Sequence, residues 1–444
     1  MGFRKNEKTL SILTVKMDKR DNKTACPGMH SGHERVVRRG CKMNFNEILD
    51  TVTNKEVYEL TTNLVNIPSY TGLINQELAV ARYIKEFFES ENIEVFFQDP
   101  LPNRPNVIAV IRGCGKGKSL MLSGHLDTVP PYNMTEDPFS GKIEGGKLYG
   151  RGSCDMKGAL ACMMTAMAAL RRSGTRLAGD LIFAGVINEE QQSEGTEYIV
   201  RNGPGADAAI VGEPTGMDIA AGHRGLEWID ITVIGKTTHG GTPTEGVNAI
   251  SKAAELIYKI ETELIPKFKN RRHPLIGEPL LNFGVIKGGD QPSSVAGFCR
   301  ISIDRRWPPL ETFSGIMEEL EEIIGELRSE DPNFRAEVKR YFEGSDMMLH
   351  KPLEIDLNHP LVETLQKTLR ITGQKEPQIV SFPAWTDASL LSNYAGIPSV
   401  VCGPGFLKDA HTENEHVHLS QLEEGYRAYT LGALDFCGME ENID

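Results

Sequence analysis

The sequence predicts an α/β protein with a mainly parallel sheet flanked by helices and a smaller α+β unit inserted into it. Apolar, β-rich runs alternate with amphipathic helices in the first half of the chain and again after about residue 345. These runs are continuously apolar, as expected for strands buried on both faces of a parallel sheet. Between residues 221 and 344, strands of alternating apolar and polar residues surround two helices instead.

The first domain begins with two amphipathic helices, because apolar residues recur three and four positions apart. A third helix begins at Gly158 and ends in two arginines. Buried strands are predicted after the second helix and after the third. The predicted helices are residues 54–67, 75–90 and 158–172, and the predicted strands are "IEVFF", "NVIAVIRG", "SLMLSG", residues 180–188 and residues 207–214.

The inserted unit is predicted as an antiparallel sheet with both of its helices on one face. A length of 444 residues also favours two domains over one core. The sequence therefore predicts a first domain of residues 44–220 and 345–444, and an inserted domain of residues 221–344. The predicted strands of the insertion are residues 226–234, 281–287, 297–304 and 335–342, and its helices are residues 247–264 and 310–327.

The composition argues against several kinds of partner. The net charge of −13 is unfavourable for a nucleic-acid partner, because phosphate binding needs clustered Lys and Arg. Residues 1–43 are the exception, with 11 Lys and Arg against 4 Asp and Glu. This basic segment is predicted to be a disordered tail, with a targeting arm as the alternative.

Membrane insertion and disulfide bonding are also disfavoured. The longest weakly polar run, residues 158–170, is shorter than the roughly 20 residues that span a bilayer. The 8 cysteines are scattered and form no CxxC pair. We therefore expect no membrane partner and a reducing, cytoplasmic compartment.

Side chains that bind metals recur just past predicted strands or at a helix start. In an open α/β sheet, ligands bind at the carboxyl ends of the strands, so these residues are expected to lie together. Each of these residues alone could be a helix cap or a solvated loop charge without any function. Their recurrence at one edge of the sheet favours a shared site. The five residues are His125, Asp155, Glu190, Glu213 and His411.

Two imidazoles and three carboxylates are donors that suit zinc or a similar divalent ion. If one carboxylate is shared, two ions can each have three protein ligands and still leave room for a water. The sequence therefore predicts two divalent metal ions, with zinc as the first choice and cobalt or manganese as alternatives.

Two acidic residues beside these ligands are predicted to assist catalysis. Asp127 is two positions from His125 in an extended stretch, so its carboxylate is expected to accept a hydrogen bond from the imidazole and fix the ring. Glu189 and Glu190 project to opposite sides of an extended chain, so Glu189 need not be a ligand. A free carboxylate there could take a proton from water and deliver it to a leaving group. The alternative is a solvated pair at a strand end.

With these residues in view, the sequence resembles the co-catalytic zinc amidohydrolase and peptidase family of acetylornithine deacetylase, succinyl-diaminopimelate desuccinylase, aminoacylase and glutamate carboxypeptidase. The resemblance runs in order from about residue 55 to the C-terminus and implies a zinc exopeptidase-like fold. The matching stretches are "SGHLDTVP", "GRGSCDMKGALA", "NEEQQSEGT", "VGEPTG", "HRGLEWIDITVIGKTTHGGTPTEGVNAI", "IDRRWPP", "WTDASLL" and "CGPG" with the following His411.

The resemblance implies a role for each site residue. One ion would be held by His125, Asp155 and Glu213. The other would be held by Asp155, Glu190 and His411, with Asp155 as the bridge. Glu189 would be the general base and acid.

The resemblance also makes the inserted unit a lid and dimerisation domain, so a homodimer is expected. His239 matches a histidine that reaches the oxyanion, often from the partner subunit. Arg306 matches the lid arginine that holds a substrate carboxylate, and Arg305 beside it is the competing choice. Asn248 and Gly405 are further candidates for substrate contact, although Asn248 could simply begin a helix.

Some positions depart from the family pattern. Asn188 stands where an aspartate often precedes the glutamate pair, which changes the surroundings of the base. Ser293 and Ala296 replace the usual Asn and Pro, so substrate contacts from that loop do not carry over. Glu213 in place of Asp favours the deacetylase and desuccinylase branch.

These features predict a dinuclear metal hydrolase that cleaves the amide bond of an N-acyl amino acid. A dipeptidase or carboxypeptidase is the alternative with the same chemistry. A binding protein that keeps the metals without catalysis is a different class, and the presence of Glu189 beside Glu190 argues against it. A thiol or serine hydrolase using Cys402 or Ser123 with His411 is a third hypothesis, but neither residue lies in a recognisable nucleophile turn.

Overall fold

The computed structural model describes residues 45–342, 344–373 and 375–440. The predicted basic tail, residues 1–43, lies outside the described residues. The helices are α1 (Phe45–Leu49), α2 (Asn54–Val65), α3 (Leu78–Ser90), α4 (Gly158–Arg172), α5 (Glu194–Asn202), α6 (Ala249–Lys259), α7 (Phe313–Glu330), α8 (Pro360–Thr372), α9 (Ala388–Tyr394) and α10 (Leu419–Cys437).

The strands contribute to three sheets. They are β1 (Glu94–Leu101), β2 (Arg104–Ile111), β3 (Leu120–His125), β4 (Ile143–Glu144), β5 (Lys147–Tyr149), β6 (Leu181–Val186), β7 (Ala208–Val211), β8 (Ile219–His223), β9 (Gly225–Ile234), β10 (Leu280–Gly288), β11 (Phe298–Trp307), β12 (Ala336–Arg340), β13 (Leu353–Glu354), β14 (Ile379–Phe382), β15 (Ser399–Val401) and β16 (His416–His418).

The large sheet has nine strands in the order β1-β2-β6-β3-β7-β15-β8-β13, with β14 paired to β8. Its middle, β6-β3-β7-β15, is parallel throughout. This arrangement confirms the predicted α/β fold class. The edges of this mainly parallel sheet are antiparallel, except that β14 pairs parallel with β8. At one edge the reason is local, since only Pro102 and Asn103 join β1 to β2 and so short a connection can form only a hairpin.

Helices cover both faces of the large sheet, which explains why β3, β6 and β7 are buried along their whole length. One face carries α2, α3, α4, α8 and α10 and the larger apolar core. The other face carries α5 and α9 over a second core. The most apolar helix, α4, is buried from Gly158 to Leu170, so its composition reflects core packing. In the described part of the chain no helix is long and apolar enough to cross a membrane.

The four-stranded sheet is antiparallel in the order β10-β11-β9-β12. Alternate residues of β9, including Ile229, Ile231 and Val233, face a separate core shared with α6 and α7. The other face of β9 presents residues such as Trp228, which is 44% exposed. The predicted helix 247–264 is formed by α6 and one further π-helical turn, Ile260–Leu264. The domain boundaries inferred from the sequence remain a prediction.

Candidate metal centre

The five predicted ligands come from four parallel strands and one turn. His125 is the last residue of β3, Glu190 follows β6, and Glu213 follows β7. The loop after β15 leads to His411, and Asp155 lies in the turn before α4. Parallel strands end at the same edge of a sheet, so these separate segments converge.

The ligand atoms form a continuous chain of short contacts around Asp155. One oxygen of Asp155, Oδ1, is 2.9 Å from His125 Nε2, and the other, Oδ2, is 3.2 Å from His411 Nε2. Glu190 Oε1 is 3.1 Å from His411 Nε2, and Glu213 Oε1 is 3.7 Å from His125 Nε2. Asp155 therefore lies between two three-residue sets, as a shared carboxylate would.

The residues present fit a centre of divalent cations. Glu213 Oε1 is buried and has no hydrogen-bond partner in the described residues. A buried carboxylate oxygen without a partner is costly unless a cation occupies the space beside it. Imidazole nitrogen and carboxylate oxygen together are also the ligand types that zinc accepts.

The pKa shifts of the candidate ligands in the ion-free protein also favour a cation at this site. Burial raises the pKa of Glu213 well above its usual value, and the charge of Asp155 adds to this. Burial also opposes ionisation of Asp155, but the hydrogen bonds with His125 and His411 outweigh it and hold the Asp155 pKa below its usual range. Burial lowers the pKa of His411, but its bonds with Asp155 and Glu190 prevail and raise it to about 10. In the ion-free protein, the protonated imidazoles therefore supply the positive charge beside these carboxylates that a bound cation would supply.

Asp127 differs from the expected geometry. The Nδ1 atom of His125 is 2.9 Å from the backbone carbonyl oxygen of Asp127, whereas the Asp127 carboxylate is 3.7 Å away. The carboxylate instead accepts hydrogen bonds from the backbone amides of Glu189 at 3.2 Å and Glu190 at 3.1 Å. The reason is that the turn after β6 places both amides in front of Asp127. The side chain therefore fixes the backbone of the glutamate pair, and the carbonyl orients the imidazole.

Glu189 and Glu190 lie in the turn after β6 and not in the extended segment that the sequence predicted, and both carboxylates come close to His125. Glu190 contacts His411, while a Glu189 oxygen lies within 4.8 Å of ligand atoms of His125 and Glu213. Burial raises the pKa of Glu189 well above its usual value, with a further contribution from the Glu213 charge. A raised pKa makes a carboxylate a stronger base, which suits a group that accepts a proton from water.

Sequence reasoning missed Glu415, which organises the turn containing Asp155. Its buried carboxylate accepts hydrogen bonds from the backbone amides of Gly152, Cys154 and Asp155 at 2.9, 3.1 and 3.1 Å. It also pairs with the buried guanidinium of Arg151. The only signal in the sequence is a glutamate four residues after His411, which alone could not indicate this role.

Four of the five candidate ligands, all except His125, lie on the wall of a cleft of about 400 Å³. Arg306 lines it with a guanidinium paired to Asp304, at 3.0 Å between Nε and Oδ1. Arg305 is buried instead against Glu311 and the ring of Phe268. The remaining lining residues are Asp155, Glu189, Glu190, Gln191, Glu213, Leu226, Glu227, Trp228, Phe342, His350, Phe382, Ala384, Trp385, Leu407 and His411.

Three predicted contact residues do not line this cleft. His239 is exposed in a loop, where its Nδ1 accepts a hydrogen bond from the amide of Gly241 at 3.0 Å. Asn248 is the N-cap of α6 and accepts from the amides of Ile250 and Ser251. Gly405 has φ +93° beside Cys154, a conformation and a close approach that favour glycine. Their functional roles remain predictions.

The proposed thiol and serine nucleophiles are poorly placed. Burial raises the pKa of Cys402 to about 12, so its thiol would not ionise near neutral pH. Ser123 lies inside β3 with a buried hydroxyl. Neither faces the cleft that contains His411.

A parallel sheet whose carboxyl edge gathers five candidate metal ligands, with Glu189 beside them, is typical of a metal-dependent hydrolase. Comparison with known proteins identifies the family. The model of peptidase family M20/M25/M40 matches residues 121–434, and the chain belongs to this family. It is a metallohydrolase that acts on amide bonds, which confirms the resemblance predicted from the motifs.

Two curated relatives and one solved structure illustrate the family. The chain is 31% identical over 412 residues to N-formyl-4-amino-5-aminomethyl-2-methylpyrimidine deformylase of Bacillus subtilis, covering 86% of this chain and 94% of that protein. It is 30% identical over 355 residues to acetylornithine deacetylase of Proteus mirabilis, covering 78% and 86%. The crystal structure of aminopeptidase PepT from Bacillus cereus has a TM-score of 0.72 at 21% identity, covering 87% of this chain and 99% of that one.

Proposed function

We propose that the protein hydrolyses the amide bond of N-acyl amino acids, removing a small acyl group. The observation that carries the proposal is the carboxylate of Glu189, within 4.8 Å of ligand atoms of His125 and Glu213, in a cleft that also contains Arg306. The names of two relatives, a deformylase and an acetylornithine deacetylase, support removal of a small acyl group. Cleavage of dipeptides or C-terminal residues is the alternative within the same chemistry.

The site would hold two divalent ions, with zinc as the first choice. His125, Asp155 and Glu213 would hold one, and Asp155, Glu190 and His411 the other. When bound, such ions polarise an amide carbonyl and make water more acidic.

The chain's own residues would perform the remaining steps. Glu189 takes a proton from the attacking water, whose oxygen forms a bond to the carbonyl carbon. Glu189 then gives that proton to the amide nitrogen as the carbon–nitrogen bond breaks, which leaves an amine and a carboxylic acid; the acid's proton passes to the amine, giving a carboxylate and an ammonium group. Asp127 holds the backbone of Glu189 in place through its amide. Arg306 would exchange its contact with Asp304 for the carboxylate of the substrate.

A homodimer would complete this site. The edge strand β10 exposes Leu280, Val285 and Ile286, and the neighbouring β11 exposes Phe298. An exposed apolar edge strand favours pairing with another chain. His239 lies outside its own cleft, so we propose that it donates to the oxyanion in the partner's site. The free cysteines of the described part of the chain suit a cytoplasmic location.

The test compares wild type with Glu189→Gln, and with Glu89→Gln as a control at an exposed carboxylate. Each protein is purified without chelator, and its metal content and its hydrolysis of N-formyl, N-acetyl and N-succinyl amino acids and of dipeptides are measured. We expect about two ions per chain in all three proteins and a loss of kcat of roughly 10²–10⁴-fold in Glu189→Gln alone. Full activity in Glu189→Gln would remove its role as the base. Bound metal without any hydrolysis would favour a binding protein.

A further inference from the structure

The cleft has a second chemical character that metal chemistry does not require, because much of its wall is aromatic. From the four-stranded sheet, Trp228 and the nearby Phe342 face it as a stacked pair, with ring centroids 5.7 Å apart and planes inclined by 28°. Trp228 remains 44% exposed, so this indole is not used to fill a core.

A second stacked pair lines the same cleft from the other part of the fold. The rings of His350 and Trp385 lie 4.1 Å apart with planes inclined by 29°. The indole nitrogen of Trp385 donates a hydrogen bond to the carbonyl of Lys351 at 3.1 Å, which fixes the ring. Phe382 extends this surface.

One polar atom on this aromatic wall lacks a partner. The Nε2 atom of His350 is buried and has no hydrogen-bond partner among the described residues. Burial lowers the pKa of His350 to about 4, so the ring is neutral and this nitrogen can exchange a hydrogen bond with a ligand heteroatom. A buried polar atom usually has a partner, so the Nε2 atom of His350 on this aromatic wall favours a ligand that supplies one.

We propose that the cleft recognises a substrate whose amine part carries a planar aromatic or heteroaromatic ring, stacked against Trp228 and Trp385 beside Glu189. This inference rests on the proposed amide hydrolysis and adds the class of amine released. A flat ring gains from stacking on an indole face, whereas a saturated ring of similar size does not present a planar π surface. Because Trp228 and Trp385 belong to different parts of the fold, ring binding would use both sides of the cleft.

The experiment uses matched N-formyl amides of benzylamine, 4-aminomethylpyridine, cyclohexylmethylamine, phenylalanine and alanine. Wild type, Trp228→Leu and Trp385→Leu are compared, and Tyr258→Leu serves as a control because that side chain is 69% exposed on α6, outside the cleft. We expect wild type to favour the planar rings over cyclohexylmethyl by roughly tenfold in kcat/KM, the size of one aromatic contact. Each cleft variant should lose this preference, whereas the Tyr258→Leu control should keep both the preference and the rates of wild type.

Equal rates for planar and saturated rings would overturn the inference and leave amide hydrolysis intact. If no amide is hydrolysed, the proposed function fails, and calorimetric binding of benzylamine against cyclohexylmethylamine still tests the ring site. Equal affinity for these two amines, or benzylamine binding unaffected by Trp228→Leu and Trp385→Leu, would again overturn it.

Discussion

At the scale of single residues, the site depends on how the negative charges of its buried carboxylates are compensated. Asp155 has a histidine on each side, whereas Glu213 has an oxygen without any partner in the described chain. The residue types predicted the chemistry correctly as a class, because imidazole nitrogen and carboxylate oxygen are the ligand types that zinc and similar divalent ions accept. The hydrogen bond expected between the side chains of His125 and Asp127 was wrong in detail, because nearby backbone amides compete for that carboxylate.

A histidine away from the ligands gives a prediction about pH. His223 is fully buried between the carbonyl of Arg224 and the hydroxyl of Thr386, and burial lowers its pKa from 6.5 to about 4. The unfolded chain takes up a proton below about pH 6.5, but the folded protein does not until about pH 4. The stability from the neutral ring is complete above pH 6.5 and is lost as pH falls towards 4, by up to about 1.4 kcal/mol per unit.

The measurement is the urea-unfolding free energy of wild type and His223→Gln between pH 5 and 7.5, both with chelator so that metal release does not contribute. We expect the variant to have a lower free energy of unfolding than wild type at pH 7.5. We also expect it to lose less of that free energy as the pH falls to 5. An equal loss of unfolding free energy between pH 7.5 and pH 5 in the two proteins would contradict the prediction.

At the scale of elements, the turn before α4 is held by a distant segment. Glu415 lies just before β16, and its carboxylate accepts three amides of this turn. The apolar pattern of α4 predicts the helix, but the turn depends on a partner about 260 residues away. Such a contact has no local signature, so only the assembled structure shows it.

We predict that Glu415→Ala destabilises the fold by about 3–5 kcal/mol, because it leaves Arg151 charged and buried without its partner. Glu415→Gln should cost less, since its amide oxygen can still accept from the turn. Glu89→Ala removes one exposed i,i+4 ion pair with Lys85 and should cost under about 1 kcal/mol. Denaturant titration measures all three, and a Glu415→Ala loss no larger than that of Glu89→Ala would exclude this role.

At the scale of the whole molecule, the proposed dimer predicts that two inactive variants complement each other. In a mixed dimer of Glu189→Ala and His239→Ala chains, the site with an intact Glu189 receives His239 from the other chain. One of its two sites is then complete. Because the doubly purified species contains only mixed dimers, its activity should reach about half of wild type.

The two variants are co-expressed with different tags, and the doubly purified species is assayed beside each variant alone. Mass measurement in solution establishes whether it is a dimer. No recovery of activity in a verified mixed dimer would place the action of His239 within its own chain or remove it from catalysis.

The sequence by itself determined the fold class, the family and the set of candidate ligands. Buried parallel strands have a continuous apolar pattern, and metal-binding residue types that recur just after several of these strands favour a shared site. The tertiary structure decided which atoms meet: the two-sided contacts of Asp155, the choice of Arg306 over Arg305 for the cleft, the Glu415 contacts and the aromatic walls. These depend on side chains far apart in sequence, whose distances are set only when the sheets and helices pack together.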